Sequence, residues 1–325
     1  MRNGCTQKTK AGIVAAEYCK KYASSSSLSI ARALRKDHPK LYRDVDIARN
    51  HVRYLRGALG GTHRKKCTEI IPRFKIPESY NQDYSEYVIT ARKMLLIADL
   101  HIPYHDKPAL MCALETGYRE RCDTVVILGD LMDCHTLSRF SRDPEARIFP
   151  EEVEATKAFL TMLKKNFKHV IYKLGNHEER YEHYMMQHAP EIFNTPGGRL
   201  DHLLDLGKMG VEFIGQRRVM RAGYLHLIHG HEYTGGTINP VNPARGLFLR
   251  SKGICVQGHN HQTSEHTEPT IGRDIITDWS IGCLCFLHPQ YSPLNRWNHG
   301  AAIVSLKPDG SFNMRNFRIR NGKVL

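Results

Sequence analysis

Five times between residues 93 and 261 a short apolar run stops at a cluster of residues that bind metals. Lys93 to Ala98 leads into Asp99-Leu100-His101, and Asp123 to Leu128 into Gly129-Asp130-Leu131-Met132-Asp133. His169 to Leu174 leads into Gly175-Asn176-His177-Glu178. Tyr224 to Ile228 leads into His229-Gly230-His231, and Gly253 to Gln257 into Gly258-His259-Asn260-His261. Runs of this length predict strands, and amphipathic stretches near 107–120 and 153–167 predict helices between the first three. That alternation specifies an α/β sheet, in which ligands gather at the carboxyl ends of the strands. A lone histidine on an apolar strand is usually a core residue, and His226, alternating with Leu225 and Leu227, is placed on the other strand face. Buried acids and imidazoles at five successive strand ends need a cation to offset their desolvation.

The motifs Asp99-x-His101, Gly129-Asp130-x-x-Asp133, Gly175-Asn176-His177-Glu178, His229 and Gly258-His259-x-His261 resemble, in this order, those of the calcineurin-like metallophosphoesterase family. The resemblance covers most of residues 93–310. It implies an α/β fold, a four-layer α/β/β/α sandwich, and a dinuclear metal site. One divalent ion would be held by Asp99, His101, Asp130 and His261, the other by Asp130, Asn176, His229 and His259, with Asp130 bridging. His229 and His231 both offer imidazole; the resemblance favours His229 as ligand and leaves His231 as a substrate contact. Imidazole, carboxylate and amide donors without thiolate suit Mn, Fe, Zn or Ni better than Mg alone, and Mn is favoured. The resemblance also implies that His177 contacts the phosphoryl group, stabilises its charge and protonates the leaving oxygen. Asp133 and Glu178 are expected either to orient ligand histidines or to be ordinary hydrogen-bonded acids.

Charge divides the chain. The whole sequence carries a formal net charge of +14, from 47 Lys and Arg against 33 Asp and Glu. Residues 1–75 hold 18 basic and 5 acidic residues, and the remainder 29 and 28. Within the basic part, helices are expected over Ala11 to Tyr22, from Ser27 to about Asp37, and from Asp44 to Gly60-Gly61. Val45, Ala48, Val52, Leu55 and Leu59 form one face of the third, and Arg49, Arg53 and Arg56 another, with Arg64-Lys65-Lys66 following. A trihelical unit with an arginine-striped last helix predicts a small helix-turn-helix-like domain over 1–67 that contacts nucleic acid, with DNA favoured. The alternative is a solvated basic face. Residues 68–92, with Pro72 and Pro77, are expected as linker, and 93–325 as the phosphoesterase domain.

Beside the predicted site, His135, Arg139 and Arg142 are candidate substrate contacts, with an ordinary surface loop as the alternative. Tyr291 and Trp297, in an irregular stretch over 286–299, either stack on a base or simply pack. The nine cysteines include no Cys-x-x-Cys pair, so reduced thiols in a cytoplasmic protein are expected and neither a disulfide framework nor a zinc finger is indicated. No apolar run is long enough to span a bilayer, and no membrane partner is expected. These features together predict a metal-dependent phosphodiesterase acting on nucleic acid. The alternatives are a phosphomonoesterase or cyclic-nucleotide phosphodiesterase, and a DNA-binding regulator with a non-catalytic metal site.

Overall fold

A computed structural model of the chain describes residues 9–58, 77–78, 85–139, 148–215, 217–233 and 241–325. The chain forms two compact units, Met1–Gln82 and Asp83–Leu325. Arg64, Lys65, Lys66 and Arg142 lie outside the described residues.

The first unit contains α1 (Lys10–Lys21), α2 (Ser27–Asp37) and α3 (Val45–Leu55). The side chains of Thr9, Ser26 and Asp44 accept from the N–H groups of Gly12, Ser29 and Ile47, so each helix starts at a polar cap. Ala15, Ile30, Leu34, Tyr42, Ala48 and Val52 are buried together as the core. The apolar face expected on α3 is therefore the packed one. The helix ends earlier than the Gly60-Gly61 pair suggested. Gly57, at φ +72°, takes the left-handed conformation that stops a helix.

The second unit is built on two sheets. Its strands are β1 (Tyr87–Val88), β2 (Lys93–Ile97), β3 (Thr124–Ile127), β4 (His169–Lys173), β5 (Glu212–Ile214), β6 (Met220–Ala222) and β7 (Leu225–Leu227). They continue with β8 (Cys255–Gln257), β9 (Ser264–Pro269), β10 (Ile275–Ser280), β11 (His299–Leu306), β12 (Phe312–Arg320) and β13 (Lys323–Val324). One sheet runs β13-β12-β11-β2-β3-β4-β5, the other β1-β6-β7-β8-β10-β9. The central strands β2, β3 and β4 are parallel, so their carboxyl ends open on one edge.

Both faces of β2 and β3 are buried, which is why they read as unbroken apolar runs. Met94, Leu96, Val126 and Leu128 meet Leu225, Leu227 and Val256 between the sheets. Leu95, Ile97, Val125 and Ile127 face outward, onto α4 (Lys107–Arg119) and α5 (Phe149–Asn166), through Leu110, Ala113, Leu160 and Leu163. Four more helices follow: α6 (Glu178–His188), α7 (Pro190–Phe193), α8 (Leu200–Leu203) and α9 (Leu206–Met209). The last, α10 (Pro243–Ser251), lies on the second sheet, with Leu247 packed on Ile228 and Cys255. The result is the four-layer α/β/β/α sandwich.

The end of the expected linker belongs to this fold. Tyr87 and Val88 pair with Met220 and Arg221, and Ile89 is buried between the sheets. Apolar burial draws this segment onto the sheet edge, which the prolines upstream did not reveal. Among the described residues no helix is long and apolar enough to cross a membrane, and seven cysteines are free thiols.

Candidate metal centre

The loops leaving β2, β3, β4, β7 and β8 converge on one cleft of about 850 Å³, lined in part by His101, Asp130, Asn176, His177, His259 and His261. Asp99, Asp130, His229 and His261 are almost wholly buried. Three groups of side chains place their ligand atoms within 4.8 Å of one another: Asp130, His229 and His259; His101, Asp130 and His177; and His101, His261 and Cys285.

The local backbone explains how strand ends deliver these groups. Asp99, His101, Asp130, His259 and His261 have φ of 54°, 49°, 50°, 66° and 55°. These are left-handed conformations that cost a side-chain-bearing residue about 1–2 kcal/mol each, and such outliers concentrate where function demands a particular orientation. Gly129, at φ +106°, turns the chain behind β3, and a Cβ there would lie 2.6 Å from His229 Nδ1.

The rings of His229 and His101 are each aimed by a partner behind them. His229 donates from Nδ1 to the Leu128 carbonyl at 2.8 Å, which leaves Nε2 3.2 Å from Asp130 and 3.0 Å from Asn176 Oδ1. His101 Nδ1 meets Asp133 at 3.0 Å, while its Nε2 faces His261 Nε2 at 3.3 Å. Asp99 accepts from the backbone N–H of His259 at 2.9 Å and lies 3.3 Å from His261 Nε2. Opposed ring nitrogens beside two buried carboxylates are the donor chemistry of a cation site, and with the Asn176 amide oxygen the set fits two divalent ions.

The electrostatics agree. Burial opposes ionisation of Asp130, yet His229 and His177 outweigh it and hold the carboxyl well below the usual range. Burial by itself lowers His229 and His261; Asp130 and Asp99 override it and raise each to about 10. His101 rises to about 9 against the same penalty, chiefly through Asp133. His259 falls to about 4 through burial and the charge of His229. The buried acids thus favour positive charge beside them, the sign that a divalent ion would supply.

Other expected residues fall differently. His231 turns from the cluster to Glu179, 2.9 Å away. His226 points to Glu86, at 3.1 Å, on the face away from the centre. Of the two alternatives given for these acids, Asp133 lies against a histidine ring, that of His101, whereas Glu178 accepts from the backbone N–H groups of Asp130, Met132 and Gly175 and from the Tyr172 hydroxyl. A carboxylate buried below two loops spends its oxygens on their amides. His135 lies in a one-turn 3-10 helix and Arg139 is exposed beside it, and neither lines the cleft. In the first unit Arg49 is exposed and Arg53 half-buried on α3. Arg56 is instead committed internally, donating to the carbonyls of Tyr22, Ala23 and Ser25.

Two neighbours escaped the sequence reading. Arg180, one turn along α6 from His177, donates to His177 Nε2 at 2.9 Å and to the Asp133 carbonyl at 2.9 Å. The i, i+3 spacing was the available signal. Cys285 places its sulfur 3.9 Å from His261 Nδ1, a meeting of distant segments that no local pattern marks.

Residues 92–281, more than half of the chain, match the calcineurin-like phosphoesterase family. Two phage proteins, the Gene 54 proteins of Mycobacterium phages L5 and D29, are each 26% identical over 181 residues, covering 53% of this chain and 70% of the relative. Among solved structures, Vps29 with zinc from Entamoeba histolytica is 14% identical with a TM-score of 0.38, covering 72% of this chain and 96% of that one. A dimetal phosphatase from Danio rerio is 13% identical with a TM-score of 0.38, covering 72% and 98%. The Pseudomonas putida nuclease MPE is 14% identical with a TM-score of 0.29, covering 70% and 87%. The matched span runs through all five ligand loops, and by that match the chain belongs to the calcineurin-like phosphoesterase family.

Proposed function

We propose that the protein is a dinuclear-metal phosphodiesterase acting on nucleic acid, which its basic N-terminal helical unit delivers as a helix-turn-helix-like, DNA-favouring module. The observation that carries the chemistry is the convergence of Asp99, His101, Asp130, Asn176, His229, His259 and His261 on one cleft. Asp99, His101, Asp130 and His261 would hold one divalent ion and Asp130, Asn176, His229 and His259 the other, with Mn the favoured metal. When bound, such a pair polarises a phosphoryl oxygen and supplies a nucleophile from water near neutral pH.

The side chains do the rest. His177 stands at the cleft wall with its Nδ1 donating to the Asp133 carbonyl, 2.9 Å away. Its Nε2 accepts from Arg180, which keeps a guanidinium charge beside the ring. A substrate phosphate that takes over the Arg180 guanidinium frees Nε2 to take up a proton from water and pass it to the leaving oxygen, which returns the ring to its neutral form. The nucleic-acid half of the reading rests on charge: 18 basic against 5 acidic residues in positions 1–75, with Arg49 exposed and Arg53 half-buried on α3.

The test is Mn²⁺-dependent hydrolysis of labelled DNA and RNA beside bis(p-nitrophenyl) phosphate and p-nitrophenyl phosphate. Loss of kcat by about 10²–10⁴ in His177→Ala is expected on the diesters. Arg49→Ala with Arg53→Ala should weaken nucleic-acid cleavage, with a shallower salt dependence, and spare the small diester. Hydrolysis of the monoester alone would place the enzyme among phosphatases. Nucleic-acid binding with no turnover on any substrate would favour a regulator.

A further inference from the structure

The cleft has a second wall that the metal chemistry does not use. Between β10 and β11 the chain lays Tyr291, Leu294, Arg296 and Trp297 along the rim, adjoining His261. Trp297 packs against His261, with ring centroids 4.1 Å apart, and Tyr291 meets Trp297 at 6.4 Å and 63°. Tyr291 is 75% and Leu294 97% exposed, an arrangement that leaves large apolar surfaces open to solvent directly beside a charged centre. The wall is nonetheless fixed. Asn295 donates to the carbonyls of Leu287 and Ser292 and accepts from the Trp297 N–H at 2.9 Å, so one side chain ties three points of the loop together. Preformed aromatic surface lowers the entropic cost of binding.

We infer that this wall is a subsite for an unpaired nucleobase next to the scissile phosphate, which makes single-stranded nucleic acid the substrate class; the inference rests on the phosphodiesterase reading above. Aromatic rings beside a cation are the means by which proteins hold bases without pairing partners, and Arg296 supplies an exposed charge on the same rim. Asn260 and Gln262 line the cleft as well, and their amides carry both a donor and an acceptor, as base edges do. A base inside a duplex is already stacked on both faces and has none to offer Trp297.

Two readouts test it on the full chain. The protein has two tryptophans, and Trp279 is buried with its indole N–H on Glu265, so quenching by a ligand reports Trp297. An oligothymidylate should quench the fluorescence, while an abasic strand of equal length and a blunt duplex should not. In the second readout kcat/KM is compared for thymidine 5′-(p-nitrophenyl phosphate) and methyl p-nitrophenyl phosphate, diesters with and without a base. Trp297→Leu and, independently of any effect on His261, Tyr291→Ala should each lower the ratio of the two by about fivefold or more. A ratio unchanged in both variants, or equal quenching by thymidylate and abasic strands, overturns the subsite. Wild type that hydrolyses neither diester refutes the phosphodiesterase reading instead, and the quenching comparison still decides whether a base stacks.

Discussion

At Glu178 one carboxylate accepts from three backbone N–H groups, at 3.1, 2.9 and 2.8 Å, and from the Tyr172 hydroxyl at 2.9 Å. Those amides belong to the loops that carry Asp130 and Asn176, so the acid fixes ligand geometry without touching an ion. Glu178→Gln sets an NH2 group against N–H donors and should cost about 1–3 kcal/mol, read from the denaturant midpoint, with weaker metal affinity by calorimetry. Asp278, on β10, offers a test remote from the centre. Burial raises it to about 7, opposed by hydrogen bonds that include the Ser251 hydroxyl at 3.3 Å. An unfolded aspartate titrates near 4, so between about 4 and about 7 the folded state binds the extra proton. Stability contributed at low pH is therefore lost as the pH rises through that window. Asp278→Asn should flatten the fall of Tm with pH; an unchanged slope would assign it to other groups. Residue identity at the centre was largely legible, because acids and imidazoles at strand ends have few other uses. The partners of Glu178 were not, because backbone amides leave no mark in a sequence.

Among the elements, β2 shows how far pattern reading reaches. Its apolar run predicted a strand, the structure buries both of its faces, and Leu96, fully buried between the sheets, is expected to cost about 2–5 kcal/mol as Leu96→Ala in chemical denaturation. On α3 the same reasoning found the packed face but did not foresee where Arg56 is spent. Arg56 closes the carbonyls of Tyr22, Ala23 and Ser25, so Arg56→Ala should lower the thermal stability of the helical unit, followed by far-UV circular dichroism in the full chain. Arg49→Ala, an exposed position, should leave that melting unchanged. Three arginines spaced along a helix look alike in sequence; which is spent on its own unit depends on what packs beside it. The short strand β1 escaped for a related reason, since two residues carry no periodicity and pair only because β6 offers an open edge.

For the whole molecule, metal and stability are linked. A cluster of buried acids and imidazoles binds cations only when folded, so chelation should lower Tm, and readdition of Mn²⁺ should restore it. At about 100 times the dissociation constant the gain is about 2.7 kcal/mol. A Tm indifferent to chelator would count against the seven-residue ligand set. The sequence by itself determined the alternation of strand and helix, the order of the ligand loops and the division of charge, because these follow from periodicity and composition within short windows. Tertiary structure alone decided that His231 turns to Glu179, that Arg180 and Cys285 stand beside His177 and His261, and that Tyr291 and Trp297 wall the same cleft. Each of those facts is a distance between segments far apart in the chain or a choice of side-chain direction, and both are set only when the two sheets pack.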